Sequence, residues 1–231
     1  MLSWVDIKDE QMTSFETLVR RYDVSEIIAD GIVHGVGVVA ALIAVTALIF
    51  YATVWGTAGA LVASWIYGVG LVASLGISFA YNIWPRSPAK WFLRRLDHSA
   101  IFILIAATYT PFLVAAWPDP MVVANLIGLW CVAVFGIALK CMWPGRFDKL
   151  TILLYLAMGW SGVVIFSRLY DVLSLATLIL ILTGGIIYTI GVIFHVWEKL
   201  RFQNAIWHGF VVTAAGVHYA AVLTCVVRFP G

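Results

Sequence analysis

Charge is what this sequence has least of. Asp, Glu, Lys and Arg make up 11% of its 231 residues, whereas 63% are hydrophobic. A soluble domain has too little interior to hide that much apolar surface, so the scarcity of charge excludes a water-soluble globular fold and indicates a polytopic membrane protein. A net charge of +2 gives no argument for nucleic acid as a partner. Cysteine is scarce too. Cys131, Cys141 and Cys225 have neither metal-binding nor redox spacing and read as small core residues. No cleavable signal peptide is evident, because the first 30 residues carry Asp6, Asp9, Glu10 and Glu16 where an apolar stretch would stand. Internal repeats and low-complexity tracts are absent as well.

What the chain does have is a series of long apolar runs. A helix needs about 20 mostly apolar residues to cross a hydrocarbon core of about 30 Å. Seven segments meet that length: roughly 31–53, 58–83, 97–117, 120–141, 147–167, 173–195 and 204–227. The short connections between them predict antiparallel neighbours in one all-α, seven-transmembrane helix bundle over 31–231. Residues 1–30 read as a cytoplasmic amphipathic segment, with Phe15, Leu18 and Val19 on a modest apolar face. Of the 14 Lys and Arg residues, all but Arg168 and Arg228 fall in the N-terminal segment or after the second, fourth and sixth runs. Positive charge stays on the cytoplasmic side, so the N-terminus is expected in the cytoplasm and the C-terminus outside.

That orientation brings several isolated polar residues to one depth, near the inner leaflet. Glu26, Asp30 and His34 are spaced i, i+4, i+8 on one face at the start of the first run. Ser78 and Asn82 lie one turn apart at the end of the second, and Asp97-His98 stands at the start of the third, after the basic stretch 84–96. His195 closes the sixth run, and Asn204 and His208 open the seventh. Ionisable groups inside a membrane span are costly and face a bundle interior or a water-filled cavity. Each group also has a plainer reading. His98 and His195 suit the interface, Glu26 and His34 suit a helix-end network, and the two asparagines suit ordinary interhelical hydrogen bonds. His218, about 15 Å deeper than His208, reads as a buried, neutral, hydrogen-bonded side chain. Trp84, Trp117, Trp143 and Trp207 fall near span borders, as an aromatic belt would.

In this order, the segments SEIIADGIVHGVG at 25–37, SFAYNIWP at 78–85, LRRLDHSAIFILIAATYTPF at 93–112, YLAMGW at 155–160 and NAIWHGF at 204–210 form a pattern. It resembles the hemolysin III family of bacterial membrane proteins, relatives of the progestin and adipoQ receptors that include the adiponectin receptors. The resemblance runs from about Ser25 to Val227 and implies a seven-helix bundle with a cytoplasmic N-terminus in the bacterial inner membrane. It also implies a zinc site in members that keep S-x3-H at the end of the second helix and H-x3-H on the seventh, with an Asp at the head of the third holding a zinc-bound water. Carried over, Ser78, Asp97 and His208 match, and Ser78 and Asp97 become the candidate catalytic residues. Asn82 and Asn204 depart, each standing where the pattern has a His. An open zinc site needs three good protein ligands, and an amide is a poor substitute for an imidazole.

The expectation is therefore a degenerate zinc site: Asn82, Asn204, His208, His34, Glu26 and Asp30 around one pocket, with no cofactor. Any metal present would be held by His208 and Asp97 with Asn82 and Asn204. Three functions compete for this arrangement. The favoured one is a metal-free variant acting in lipid sensing or membrane homeostasis. The others are a zinc-dependent lipid amide or ester hydrolase, against which the two asparagines count, and the haemolytic or pore-forming activity suggested by the family name, for which no long amphipathic pore segment is present. A transporter ranks fourth, for want of an internal repeat. Membrane lipids are the expected partners, and association into a homo-oligomer stays open.

Overall fold

A computed structural model describes residues 23–85, 87–143 and 145–228. Of the amphipathic segment expected over 1–30, residues 1–22 lie outside the described residues, and Val24–Asp30 belong to the first membrane helix instead. The helices are α1 (Val24–Trp55), α2 (Ala58–Ile83), α3 (Pro88–Ala115), α4 (Pro120–Met142), α5 (Asp148–Gly159), α6 (Phe166–Val172), α7 (Leu175–Val196) and α8 (Gln203–Arg228), with a 3₁₀ turn at Ser161–Val163 between α5 and α6. Six are long and apolar enough to cross a membrane. The seventh expected span is a bent pair: α5 with its 3₁₀ turn meets α6 at 54°. The described residues thus form an all-α multi-pass bundle of six spans, or seven when the bent pair counts as one.

Capping moves two helix starts away from the boundaries read in the sequence. The first helix begins at Val24 rather than near residue 31, because Asp23 and Glu26 form a capping box. Asp23 accepts from the Glu26 amide at 2.8 Å and Glu26 accepts from the Asp23 amide at 3.0 Å. The Ser25 hydroxyl, and after it the Glu26 amide, hold the Asp23 carboxyl below its ordinary value. The third helix begins at Pro88 rather than at Asp97. Ser87 caps it, Pro88 supplies a pre-set φ in its first turn, and Arg94 and Arg95 lie over the Trp91 ring. The basic stretch before Asp97 is therefore largely helix, and Asp97-His98 lies about three turns inside it.

Helix α3 is the most buried of the long spans and packs against α2, α4, α5, α6 and α8. Its Phe102, Phe112 and Leu113 sit in the core. Around it, α1 packs between α2 and α8, and α7 packs on α8. The outer face of α7 shows Leu175, Ile179, Leu182, Ile186, Ile190 and Ile193, a stripe at three- and four-residue spacing that suits contact with lipid tails. Two of the three cysteines depart from the core reading: Cys131 and Cys141 are exposed on α4, and only Cys225 is buried.

Local contacts divide the bundle into two ends. Asp148 at the start of α5 pairs with Lys140 and Arg94. Beyond the bend, Arg168 on α6 pairs with Asp119, the N-cap of α4, at 3.5 Å. The first end carries the 84–87 and 197–202 connections and most of the cationic side chains.

Candidate functional site

Four helices converge at the basic end of the bundle. On α1, the spacing that puts Glu26, Asp30 and His34 on one face turns all three inward, and all three are buried. Asp30 is 4% exposed and His34 1%. On α8, the same one-turn logic directs Asn204 and His208 at them, while α2 contributes Ser78 and Asn82 and α3 contributes Asp97. The outcome is a polar cluster inside a bundle whose outer surface is apolar.

Asp30 is at its centre. Its Oδ1 accepts from His208 Nδ1 at 2.7 Å and lies 3.5 Å from His34 Nδ1. Its Oδ2 receives the Asn204 amide at 3.5 Å. His34 Nδ1 is 2.9 Å from the Asp30 carbonyl oxygen and its Nε2 is 3.1 Å from Ser78 Oγ. The His34 and His208 rings meet edge-on, with centroids 4.1 Å apart. Asn82 donates to the Ser78 carbonyl at 2.9 Å, and its Oδ1 accepts the Asn204 amide at 2.8 Å.

Glu26 does a different job from the rest. One carboxylate oxygen completes the α1 capping box and the other accepts the Phe202 amide at 2.9 Å, which ties the start of α1 to the connection before α8. It is a structural clamp at the edge of the site.

All eight residues singled out in the sequence (Glu26, Asp30, His34, Ser78, Asn82, Asp97, Asn204 and His208) line one cavity of about 750 Å³. Its walls continue past them to Thr108, Tyr109, Ile181, Gly185, Tyr188 and His218, so one end is polar and the other largely apolar. His98 and His195, assigned above to the interface, line the same cavity. His195 Nδ1 is buried with no hydrogen-bond partner among the described residues. His218 Nε2 donates to the Ile181 carbonyl at 3.1 Å, near the far end.

The sequence reading missed Lys140. Counted there with the loop after the fourth run, it belongs to α4, is 2% exposed and pairs with Asp148 at the cavity rim. A lysine inside an otherwise uncharged run was the available signal.

The family zinc pattern can be tested against these contacts. It needs imidazoles at 82 and 204, and the amides there are hydrogen-bonded to each other. His208 alone remains of that imidazole set, so the residues present do not fit a metal held in that way.

Comparison with known proteins places the chain clearly. The family described as Haemolysin-III related matches residues 24–219. The Hemolysin-3 homolog of Bacillus subtilis (strain 168) is 36% identical over 209 residues, covering 90% of this chain and 98% of the relative. Hemolysin-3 of Bacillus cereus is 39% identical over 214 residues, covering 93% and 95%. The Monocyte to macrophage differentiation factor of Homo sapiens is 30% identical over 175 residues, covering 73% and 72%.

Proposed function

The chain belongs to the haemolysin-III related family of multi-pass membrane proteins, and on that premise we propose that it binds a single-chain amphiphilic lipid and acts in lipid sensing or membrane homeostasis. The observation that carries this reading is the continuity of the cavity from the Asp30–Asn82–Asp97–Asn204–His208 cluster to the apolar walls around Ile181 and Val211. Its volume of about 750 Å³ falls in the range that small-molecule sites occupy, roughly 300–1,000 Å³. A hydroxyl, ester or amide head meets hydrogen-bonding partners at one end, and the tail lies in the other.

Access from the bilayer supports the same reading. Helix α5 packs on α3 and α4, whereas α7 packs on α8, and the cavity lies between these two pairs. A hydrogen bond from Trp160 Nε1 to Thr189 Oγ1, 3.1 Å long, spans that boundary. A lipid tail entering there leaves one hydrocarbon environment for another, at little desolvation cost. We infer seven spans, with the bent α5–α6 pair as one of them and the basic end of the bundle in the cytoplasm of the inner membrane.

The test is equilibrium binding of a fluorescent fatty acid to the purified protein in nanodiscs. Gly185 lines the cavity, and a Cβ built there meets nothing closer than the Trp160 ring at 3.9 Å. Gly185→Phe therefore fills the cavity without a backbone clash. It is expected to weaken the probe by at least about ten-fold, about 1.4 kcal/mol, with the melting temperature retained. Affinity equal to the parent protein's would overturn the proposal.

A second reading, hydrolysis of a lipid ester or amide, rests on the Asp30–His208 pair. A carboxylate on Nδ1 orients the ring and leaves Nε2 as its basic nitrogen on a cavity-lining side chain. Release of fatty acid from an acyl ester probe, abolished by His208→Gln, is the outcome that would favour it.

A further inference from the structure

We propose that Asp30, His34 and His208 form a divalent transition-metal site, a two-imidazole, one-carboxylate set that draws two of its three ligands from α1. The ligand atoms of these residues all lie within 4.8 Å of one another, and all three residues are buried. This set shares only His208 with the pattern the resemblance implies, and it stands independently of whether the cavity takes a lipid.

The donor chemistry suits the ion. Open zinc sites use three protein ligands, among them two imidazoles with one carboxylate, and a similar set with free positions holds other first-row divalent metals. Ligand atoms about 2.0 Å from a tetrahedral metal are about 3.3 Å from each other. The His34 Nδ1 to Asp30 Oδ1 separation is already 3.5 Å, and that between His208 Nδ1 and Asp30 Oδ1 is 2.7 Å. Admitting the ion takes opening the second pair by a fraction of an ångström, bringing the two imidazole nitrogens to that spacing from within 4.8 Å, and turning His34 Nδ1 from the Asp30 carbonyl, 2.9 Å away, toward the carboxylate.

Charge points the same way. Among the described residues, the ion-pair partners of the Asp30 carboxylate are His34 and His208, with no lysine or arginine. A carboxylate buried among neutral groups is costly, and a bound cation removes that cost.

The contact behind His34 fits a metal ligand. Its Nε2 is 3.1 Å from Ser78 Oγ, so a ring bound through Nδ1 donates Nε2–H to that hydroxyl, the outer-shell hydrogen bond expected behind a metal-bound imidazole. A second proton on the ring would make the same contact, so the experiment must separate metal from proton.

Chelator-stripped protein, freed of any affinity tag, is titrated with Co2+ and Zn2+. The readouts are metal stoichiometry, the visible absorption of bound Co2+ and the melting temperature. One equivalent is expected, with a tetrahedral Co2+ spectrum and a melting temperature raised by Zn2+, since a ligand binding only the folded state stabilises it. Asp30→Asn, His34→Gln and His208→Gln should each weaken binding by more than about 100-fold, and Ser78→Ala by about 10–100-fold. Asn82→Ala, whose amide touches none of the three ligands, should stay within about ten-fold of the parent. Should a ligand variant fail to fold, the Co2+ spectrum of the parent protein decides alone. Absence of that spectrum, affinity in the parent no higher than in His34→Gln, or a site lost on Asn82→Ala but kept in His34→Gln would each overturn the proposal and leave the protonated cluster in its place.

Discussion

Asn204 donates its side-chain amide to Asn82 Oδ1 at 2.8 Å, joining the first turn of α8 to the last turns of α2. The two departures from the family zinc pattern are thus one interaction. The Asn204 amide also reaches the Asp30 carboxylate and the Asn82 amide donates to the Ser78 carbonyl, so the pair can sit in the bundle without an ion between them. Single replacement by leucine strands one half-buried amide. Asn204→Leu should cost about 1–3 kcal/mol of stability, and the Asn82→Leu/Asn204→Leu pair less than the sum of its parts, as read by unfolding in mild detergent. Asn82→His/Asn204→His should build the family set around His208, so that zinc binding in that variant becomes insensitive to His34→Gln. Metal analysis of the two backgrounds checks this.

Lys140 and Asp148 form an asymmetric ion pair, the lysine 2% exposed and the carboxylate 47%. Removing the exposed partner leaves the buried ammonium with the Arg146 carbonyl at 3.4 Å as its remaining hydrogen-bond acceptor, whereas removing the buried one frees a carboxylate to meet water. Asp148→Ala should therefore destabilise by about 1–3 kcal/mol, and Lys140→Met by clearly less. Thermal unfolding of both variants at one pH tests the order, and equal losses would contradict it.

Two glycines mark places where helices approach too closely for a side chain. A Cβ on Gly136 of α4 would stand 2.2 Å from the ring of Phe102 on α3, and one on Gly184 of α7 would stand 2.2 Å from the His218 ring on α8. Phe102 is fully buried and has nowhere to turn. Gly136→Ala should cost about 1–3 kcal/mol through overpacking. Gly184→Ala should push His218 off the Ile181 carbonyl, which the imidazole resonances would report in NMR spectra of the labelled protein.

Orientation is testable without a purified protein. With the basic end of the bundle in the cytoplasm and seven spans, a reporter fused after Gly231 that works only in the cytoplasm should be silent. One that works only outside should be active. The opposite result would mean that the bent α5–α6 pair re-enters rather than crosses.

Much of this was legible in the amino-acid order. Long uncharged runs can satisfy their backbone inside a membrane only as helices or closed barrels, and their length here selects helices. The spacing of Asp30 and His34, and of Asn204 and His208, places each pair on one helix face whatever surrounds it. Burying such groups in hydrocarbon is too costly to occur without a polar interior, so a cluster at that depth was readable as well. What only the tertiary structure decided was the pairing. Sequence spacing says which residues share a face, but not how far a helix is rotated or which helix it meets, because side-chain packing between helices sets both. That is why α1, read as one of several contributors to the pocket, supplies its centre: the packing of α1 against α8 puts the Asp30 carboxylate between two imidazoles from different helices. Lys140 escaped for the same reason. A lysine near a span border reads as solvated until the fold places Asp148 against it and closes the bundle around both.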